Sequence, residues 1–172
     1  ITICTQNRIH FFGEIENQRM NLSPLGQRVE HEWLKTIEIR RDMNLKMGEY
    51  VVMTNHFYGI IGIGENAYNT NAMHGCRDAM HGRDAMHCVS TMQSSPNMFG
   101  PQSKNLASII RGFKSAVTTY ARKQGDTDFA WQPRYHDHII RDEKSFKTIA
   151  QYILNNPKQW KEDQFNRNQN LV

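Results

Sequence analysis

The stretch GEYVVMTNHFYGIIGIG, residues 48–64, combines the β-branched and aromatic residues typical of a buried strand with a polar interruption in its middle. It predicts one long central β-strand. Successive side chains of a strand point to opposite faces, so His56 and Tyr58 are expected on one face and Phe57 on the other. Two side chains that can bind a ligand would then stand side by side. A histidine in an apolar run is also often an ordinary core residue, because a core readily accommodates a neutral imidazole.

The composition is that of a globular protein. With 172 residues, of which 38% are hydrophobic and 22% charged, the chain is long enough for one domain with a hydrophobic core. The formal net charge of +4 permits a polyanionic partner without requiring one. Cys4, Cys76 and Cys88 show no CxxC spacing, which argues against a disulfide framework or a structural zinc site. No apolar run approaches the roughly eighteen residues of a membrane span, and no leader pattern is seen. We therefore expect a cytoplasmic protein without a membrane partner.

Periodicity predicts a strand and a helix before the central stretch. Residues 1–5 alternate between apolar and polar, which indicates a strand that pairs with the central one. Ser23 and Pro24 are typical of a helix start, with the hydroxyl at the N-cap and proline at the first helical position. Apolar residues then recur at intervals of four as far as Ile37, which indicates an amphipathic helix.

Two further helices and one strand are predicted after residue 102. The first of these helices is capped by Ser103 and extends to about Lys123. A strand with Ile139 and Ile140 buried follows it. The last helix opens at residue 142 and ends before Pro157, because proline disfavours helix at the preceding residue.

Residues 65–102 differ sharply in composition from the rest of the chain, with few aliphatic residues and three copies of an RDAMH-like unit. We interpret them as a disordered His/Met-rich insertion in a single domain that spans residues 1–172. His74, His81 and His87 recur at intervals of seven and six, which is not the ligand spacing of a metal site. A metal-binding role for the repeats is accordingly a minor alternative.

Basic residues are clustered in the second half of the chain. The helix after residue 103 has lysine and arginine on its outer face without interspersed acids, so it could lie along a phosphate backbone. An ordinary solvated face explains the same pattern equally well. The candidate DNA-binding residues are Lys104, Arg111, Lys114, Lys123, Arg134 and Arg141.

Three blocks of sequence follow one another at a characteristic spacing. They read VVMTNHFYGII, then WQPRYHDHIIRDE, then QYILNNPKQW, and the segments they mark cover essentially the whole chain outside the insertion. In this order they resemble the single-tyrosine HUH transposases, and most closely the REP-associated tyrosine transposases. Agreement of three separated blocks by chance is much rarer than agreement of one short motif.

The match can be followed residue by residue. The family's Met-Pro-Asn-His-x-His-Gly run is matched at Met53, Asn55, His56 and Gly59 and altered at Thr54 and Tyr58. Its Trp-Gln and His-Ile-Ile-Arg elements are matched at Trp131, Gln132, Tyr135, His138, Ile139, Ile140 and Arg141. Its Tyr-Ile-x-x-Asn-Pro helix end is matched at Tyr152, Ile153, Asn156 and Pro157. The second histidine of the HUH pair is therefore a tyrosine in this chain.

The resemblance implies an α+β fold, a ferredoxin-like antiparallel sheet with helices packed against it. It implies that Tyr152 attacks a phosphodiester of single-stranded or hairpin DNA and forms a 5′-phosphotyrosine that is later rejoined. It also implies a divalent cation, Mg²⁺ or Mn²⁺, held at the positions of His56, Tyr58 and Asn156. Tyr135 is the alternative nucleophile, because it lies beside two histidines in the predicted strand.

Two functions are consistent with these observations. The first is an active transposase-type strand transferase that nicks and rejoins DNA at hairpin repeats, in the cytoplasm and associated with the nucleoid. The second is a hairpin-binding protein that has lost strand transfer, because Tyr58 offers a protonated phenol where a metal ion expects an imidazole. No small-molecule substrate is predicted. The sequence leaves open whether the chain forms a homodimer.

Overall fold

The computed structural model describes residues 1–69 and 104–166. Its principal elements, in chain order, are β1 (Thr2–Cys4), β2 (Gly13–Glu16), β3 (Arg19–Leu22), α1 (Pro24–Ile39), β4 (Leu45–Val52), β5 (His56–Ile63), α2 (Leu106–Gln124) and α3 (Glu143–Gln159). Most of the predicted insertion, including its RDAMH repeats, lies outside the described residues. No helix in the described part of the chain combines the length and apolarity needed to cross a membrane.

The central stretch is a β-hairpin and not the single strand that its apolar density predicted. β4 and β5 pair antiparallel, with Val51 opposite Tyr58 and Val52 opposite Phe57. The polar residues between them form the turn, and the amide of Met53 donates to the His56 carbonyl at 2.8 Å. The prediction was wrong because the polar interruption reverses the chain instead of lying within a continuous strand.

Three strands form the main sheet in the order β1-β5-β4, while β2 and β3 form a separate hairpin. β1 pairs with β5 antiparallel, as predicted from the alternation at residues 1–5. Beyond β1, isolated antiparallel bridges between described residues extend the sheet, from Trp131 to Thr5 and from His136 to Thr2. In the described ranges, antiparallel sheets with three α-helices confirm the predicted α+β fold, an antiparallel sheet with helices packed against it.

The predicted strand around Ile139 is absent, and that side chain is 69% exposed instead of buried. His136 pairs with Thr2 through an isolated bridge, and residues 137–141 form no ladder with a described strand. Pro133 also lacks the N–H that a ladder position needs. A locally strand-like pattern is therefore not sufficient, because a strand also needs a partner that completes its hydrogen-bond ladder.

α1 and α2 cover one face of the sheet and build the larger hydrophobic core. The Phe57 ring lies on this face, with ring centroids 4.8 Å from Trp33 on α1 and 5.5 Å from Phe113 on α2. Gly59 is required there, because a Cβ at this position would approach the rings of Phe57 and Trp33 within 2.8 and 2.9 Å. The helix starts are capped: the Ser23 hydroxyl accepts from the Gly26 amide as predicted, whereas α2 is capped by Asn105 and not by Ser103.

α3 packs on the opposite face of the sheet. There Tyr58 and Ile60 of β5 form a second cluster with Ile153 of the helix. The helix does not end before Pro157 as predicted but continues to Gln159. Proline near a helix end removes only one backbone hydrogen bond, and the buried Trp160 that follows packs the last turn against the fold.

Candidate active site on the α3 face of the sheet

His56 lies at the start of β5 and is fully buried. Its Nδ1 atom is 2.8 Å from the Asn55 side-chain oxygen, and its Nε2 atom has no hydrogen-bond partner among the described residues. Burial, followed by the charges of Arg8 and His10, lowers the pKa of His56 to about 3. The imidazole is therefore neutral at physiological pH and has an electron pair available to a ligand.

Aromatic rings surround this imidazole. Ring centroids lie 4.7 Å away for Tyr58, 4.7 Å for Phe165 and 5.9 Å for Trp160. The Arg8 guanidinium stands over the Phe165 ring at 4.7 Å. The segment that follows α3 thus covers His56, which explains why a side chain at the edge of a hairpin turn has no exposed surface.

Tyr58 contacts the predicted nucleophile directly. Its hydroxyl lies 3.4 Å from the hydroxyl of Tyr152, which is at the long end of hydrogen-bond distances, and the two ring centroids are 5.7 Å apart. Burial, and then the hydrogen bond to Tyr152, raises the pKa of Tyr58 far above its usual range. Tyr58 is therefore a neutral phenol. Tyr152 itself is 44% exposed and lines a cleft at the surface.

Asn156 is the third residue of this face. It is 1% exposed, and neither its amide nitrogen nor its amide oxygen has a partner in the described ranges. Residues four apart share a face of a helix, so Tyr152, Asn156 and Trp160 form one row. The first of the row contacts Tyr58 and the last contacts His56. Asn156 therefore lies on the side of the helix that faces β5, between the turn that contacts Tyr58 and the turn that contacts His56.

The predicted metal set fits a divalent cation in two of its three positions. His56 presents an unpartnered imidazole nitrogen, and Asn156 presents a buried amide oxygen that nothing in the described chain satisfies. Tyr58 does not fit, because a phenol that remains protonated is a poor metal ligand. Among residues 1–69 and 104–166, no three His, Cys, Asp or Glu side chains are grouped closely enough to hold an ion.

A cleft of about 1110 Å³ opens between the sheet, α3 and the segment at residues 136–143. Tyr58 and Tyr152 line it, together with Phe146 and Arg141, whereas His56 does not. The cleft therefore leads to the predicted nucleophile and stops short of the imidazole.

The structure separates Tyr135 from this site. Its side chain packs against the core cluster of α1 and α2, on the side of the sheet opposite to Tyr58. Burial, followed by the charge of Asp137, raises the pKa of Tyr135. The neighbouring His136 and His138 are exposed and line the cleft. Of the two predicted nucleophiles, only Tyr152 is placed beside the β5 site.

The predicted DNA-binding residues do not form one surface. Lys114 is partly buried, and its ammonium group donates to the carbonyls of Gln132 and Arg134 at 2.5 and 3.3 Å. Lys104 pairs with Asp42.

The other predicted cations are exposed in different places. Arg111 and Lys123 lie on α2, across the sheet from Tyr152, while Arg134 lines a groove with residues 6–8 and Arg141 lines the cleft. Only Arg141 is near the candidate nucleophile. DNA binding by these predicted cations stays a prediction.

Residues that sequence reasoning missed also build the site. Asn55 was matched to the family motif but given no role, and Trp160 and Phe165 were given none. Trp160 could have been found from its position, one turn beyond Asn156 in the row that begins at Tyr152. Phe165 follows the helix in a segment without periodicity, so no sequence signal places it over His56.

Comparison with known proteins supports the fold and identifies a relative. No protein-family model matches the chain. An uncharacterized protein of Haemophilus influenzae (strain ATCC 51907 / DSM 11121 / KW20 / Rd) is 38% identical over 167 residues, which cover 95% of this chain and 82% of that protein. The structure of a REP-associated tyrosine transposase bound to a REP hairpin superposes with a TM-score of 0.51 at 18% identity, over 92% of this chain. The matched region spans 65% of the transposase chain. The chain thus shares the fold of that transposase structure and belongs to one family with the Haemophilus influenzae protein.

Proposed function

We propose that the chain is a DNA strand transferase related to the REP-associated tyrosine transposases, which binds, nicks and rejoins single-stranded DNA at hairpin repeats. The observation that carries this proposal is the position of Tyr152. Its hydroxyl lies 3.4 Å from the hydroxyl of Tyr58, on the strand that also holds His56, and Asn156 shares its helix row. Tyr152, His56 and Asn156 come from two separate sequence blocks and lie on one face of the sheet, which supports the proposal.

The REP hairpin bound by the structural neighbour supports DNA as the partner. A polyanionic substrate also agrees with the net charge of +4. On this proposal the chain acts in the cytoplasm on nucleoid DNA.

In the proposed reaction the Tyr152 oxygen attacks the phosphorus of a phosphodiester in the cleft. The new tyrosine–phosphate bond forms as the bond to the 3′ oxygen breaks. The phenol proton of Tyr152 is released to solvent, and the leaving oxygen takes up a proton from solvent and becomes a 3′ hydroxyl. Attack by a 3′ hydroxyl on the phosphotyrosine reverses the step, so no external energy source is required. The cleft wall formed by β5 and α3 orients Tyr152, through its contact with Tyr58.

A protonated phenol is a weak nucleophile, which is why a cation is part of the proposal. A divalent ion, Mg²⁺ or Mn²⁺, would supply charge stabilisation at the phosphate, with His56 Nε2 and the Asn156 side-chain oxygen as its protein ligands. His56 is suited to this role because it is neutral and its Nε2 is unpartnered among the described residues.

A second candidate function is hairpin binding without strand transfer. It is favoured by two observations: Tyr58 is a neutral phenol at the position of the second imidazole, and His56 lies beneath Trp160 and Phe165 outside the cleft. Both features would weaken a metal site while leaving the outer surfaces unchanged.

Covalent capture distinguishes the two functions. The protein is mixed with labelled single-stranded DNA that carries a hairpin, with Mg²⁺ or Mn²⁺, and is analysed under denaturing conditions. Strand transfer predicts an SDS-stable adduct in the wild type and in Tyr135→Phe, but none in Tyr152→Phe. Binding alone predicts a reversible mobility shift in all three. Absence of any shift would contradict both functions.

A further inference from the structure

Asn55 has a hydrogen-bond arrangement that determines its own orientation. The side chain is fully buried, and its amide nitrogen donates to the carbonyls of Arg8 and Phe165, each at 2.9 Å. A carbonyl oxygen can only accept, so both N–H groups of the amide are used. The amide oxygen must therefore be the atom that lies 2.8 Å from Nδ1 of His56.

This orientation also determines which nitrogen of His56 bears the proton. The Asn55 oxygen can only accept, so Nδ1 of the ring must donate. A neutral imidazole has one N–H, and a charged ring would leave a second N–H, at Nε2, buried without an acceptor among the described residues. The electron pair then resides on Nε2, the nitrogen with no partner among the described residues.

We infer that Asn55 is a positioning residue that selects the Nδ1–H tautomer of His56 and thereby leaves Nε2 as the electron-pair donor for a divalent cation. A hydrogen bond from one ring nitrogen commonly fixes the other as the metal ligand. The inference depends on the proposed function only for the identity of what Nε2 binds. The tautomer itself follows from the hydrogen bonds.

A purely structural role for Asn55 would use some of the same contacts. The residue joins the segment at Arg8 to the segment at Phe165, which are 47 residues before it and 110 residues after it. Such a clamp would hold the fold together whichever nitrogen of His56 carried the proton. The tautomer is therefore the property that distinguishes a positioning role from a clamp.

The test is nitrogen NMR of the full chain with ¹⁵N-labelled histidine at neutral pH, where long-range couplings to the ring protons assign both nitrogens. We expect Nδ1 of His56 to show the shift of a protonated nitrogen and Nε2 that of an unprotonated one. A protonated Nε2 in the wild type would overturn the inference without any variant. This measurement decides the question even if substitutions at Asn55 prevent folding.

Two variants then test the cause. In Asn55→Ala the hydrogen bond to Nδ1 is gone, and we expect the tautomer ratio of His56 to shift about fivefold towards the Nε2–H form, as one net hydrogen bond implies. Phe165→Leu is the matched control, because it removes the ring that covers His56 but keeps the carbonyl that holds Asn55, so the ratio should not change. An unchanged ratio in folded Asn55→Ala would overturn the role of Asn55.

The proposed function can fail separately. Added Mn²⁺ should broaden the His56 ring signals selectively if Nε2 binds the ion. If the Nδ1–H tautomer is found but covalent capture yields no adduct, Asn55 still positions His56 and strand transfer is excluded.

Discussion

β5 shows two different environments within three residues, and the contrast separates the part of the molecule that maintains the fold from the part that could carry out chemistry. On one face Phe57 packs between Trp33 and Phe113 of the two helices that cover it. On the other face His56 and Tyr58 lie beneath α3 and the segment that follows it.

The second face has a feature that packing alone does not explain. It buries an imidazole nitrogen and both polar atoms of an amide, from His56 and Asn156, with no partner in the described part of the chain, whereas on the Phe57 face it is the indole N–H of Trp33 that has no partner there. Unsatisfied buried polar atoms destabilise a fold, typically by about 1–3 kcal/mol each. A face that retains them is a candidate for ligand binding, and the following predictions test that contrast.

The largest expected effect comes from removing one oxygen on the α3 face. Tyr152→Phe should abolish the covalent adduct, because the attacking atom is lost, and should leave hairpin affinity nearly unchanged, because the ring still packs beside Tyr58. Denaturing gels and equilibrium binding measure the two properties. Tyr135→Phe, which changes a tyrosine on the opposite face, should keep both. An adduct that persists in Tyr152→Phe would remove the chemical role assigned to this face.

Stability should respond in opposite directions on the two faces. Phe57→Ala leaves a cavity beside Trp33 and should lower the free energy of unfolding by about 3–5 kcal/mol. Asn156→Leu replaces a buried, unpartnered amide by an apolar side chain of similar size and should raise it by about 1–3 kcal/mol.

Urea denaturation of the two variants and the wild type measures both changes. If Asn156→Leu is instead destabilised, the amide is satisfied in the folded chain and the contrast between the faces is wrong. If the variant is more stable and also loses strand transfer, the Asn156 amide lowers the stability of the fold and is required for function.

A smaller effect is expected from restoring the second imidazole. Tyr58→His should raise the cleavage rate by at least about tenfold and lower the Mg²⁺ or Mn²⁺ concentration required, because a neutral phenol is replaced by a good ligand beside His56. Tyr58→Phe is the control, since it removes the hydroxyl without adding a ligand and should not gain activity. A wild type that already cleaves as fast as Tyr58→His would mean that other residues hold the metal.

The sequence predicted the two faces but not the turn that begins them. Strand alternation correctly placed His56 and Tyr58 on one side and Phe57 on the other. It failed at residues 53–55, because the bonds that hold Asn55 reach Arg8 and Phe165, far away in the chain. Local periodicity contains no information about such distant partners.

The site was predictable where helical spacing determines it. Tyr152 and Asn156 are four residues apart, and the structure places both on the side of α3 that meets β5. The cover over His56 was not predictable, since Phe165 lies in a segment without periodicity and its position depends on tertiary contacts with Asn55 and Arg8. The sequence had left burial of His56 open, as for an ordinary core histidine, and the structure shows that the side chain is buried and which residues cover it.

The smallest expected effect concerns two lysines of α2 that the sequence treated alike. Lys123 is exposed in the last turn, whereas Lys114 is partly buried and its ammonium donates to the carbonyls of Gln132 and Arg134. If DNA follows the outer surface of α2, Lys123→Ala should reduce the slope of log affinity against log salt by about 0.7, the value for one phosphate of a single strand. Lys114→Met should instead leave the slope unchanged and lower the thermal midpoint, because two carbonyls at the sheet edge lose their donor.

Affinity measured from low to high salt, together with thermal unfolding, separates these outcomes. An unchanged slope in Lys123→Ala would place the DNA on the α3 face, where Arg141 lines the cleft beside Tyr152. In that case Arg141→Ala should produce the change in slope instead. The same series therefore determines whether the face that maintains the fold also attracts DNA, or whether recognition and chemistry share the face of β5 that carries His56.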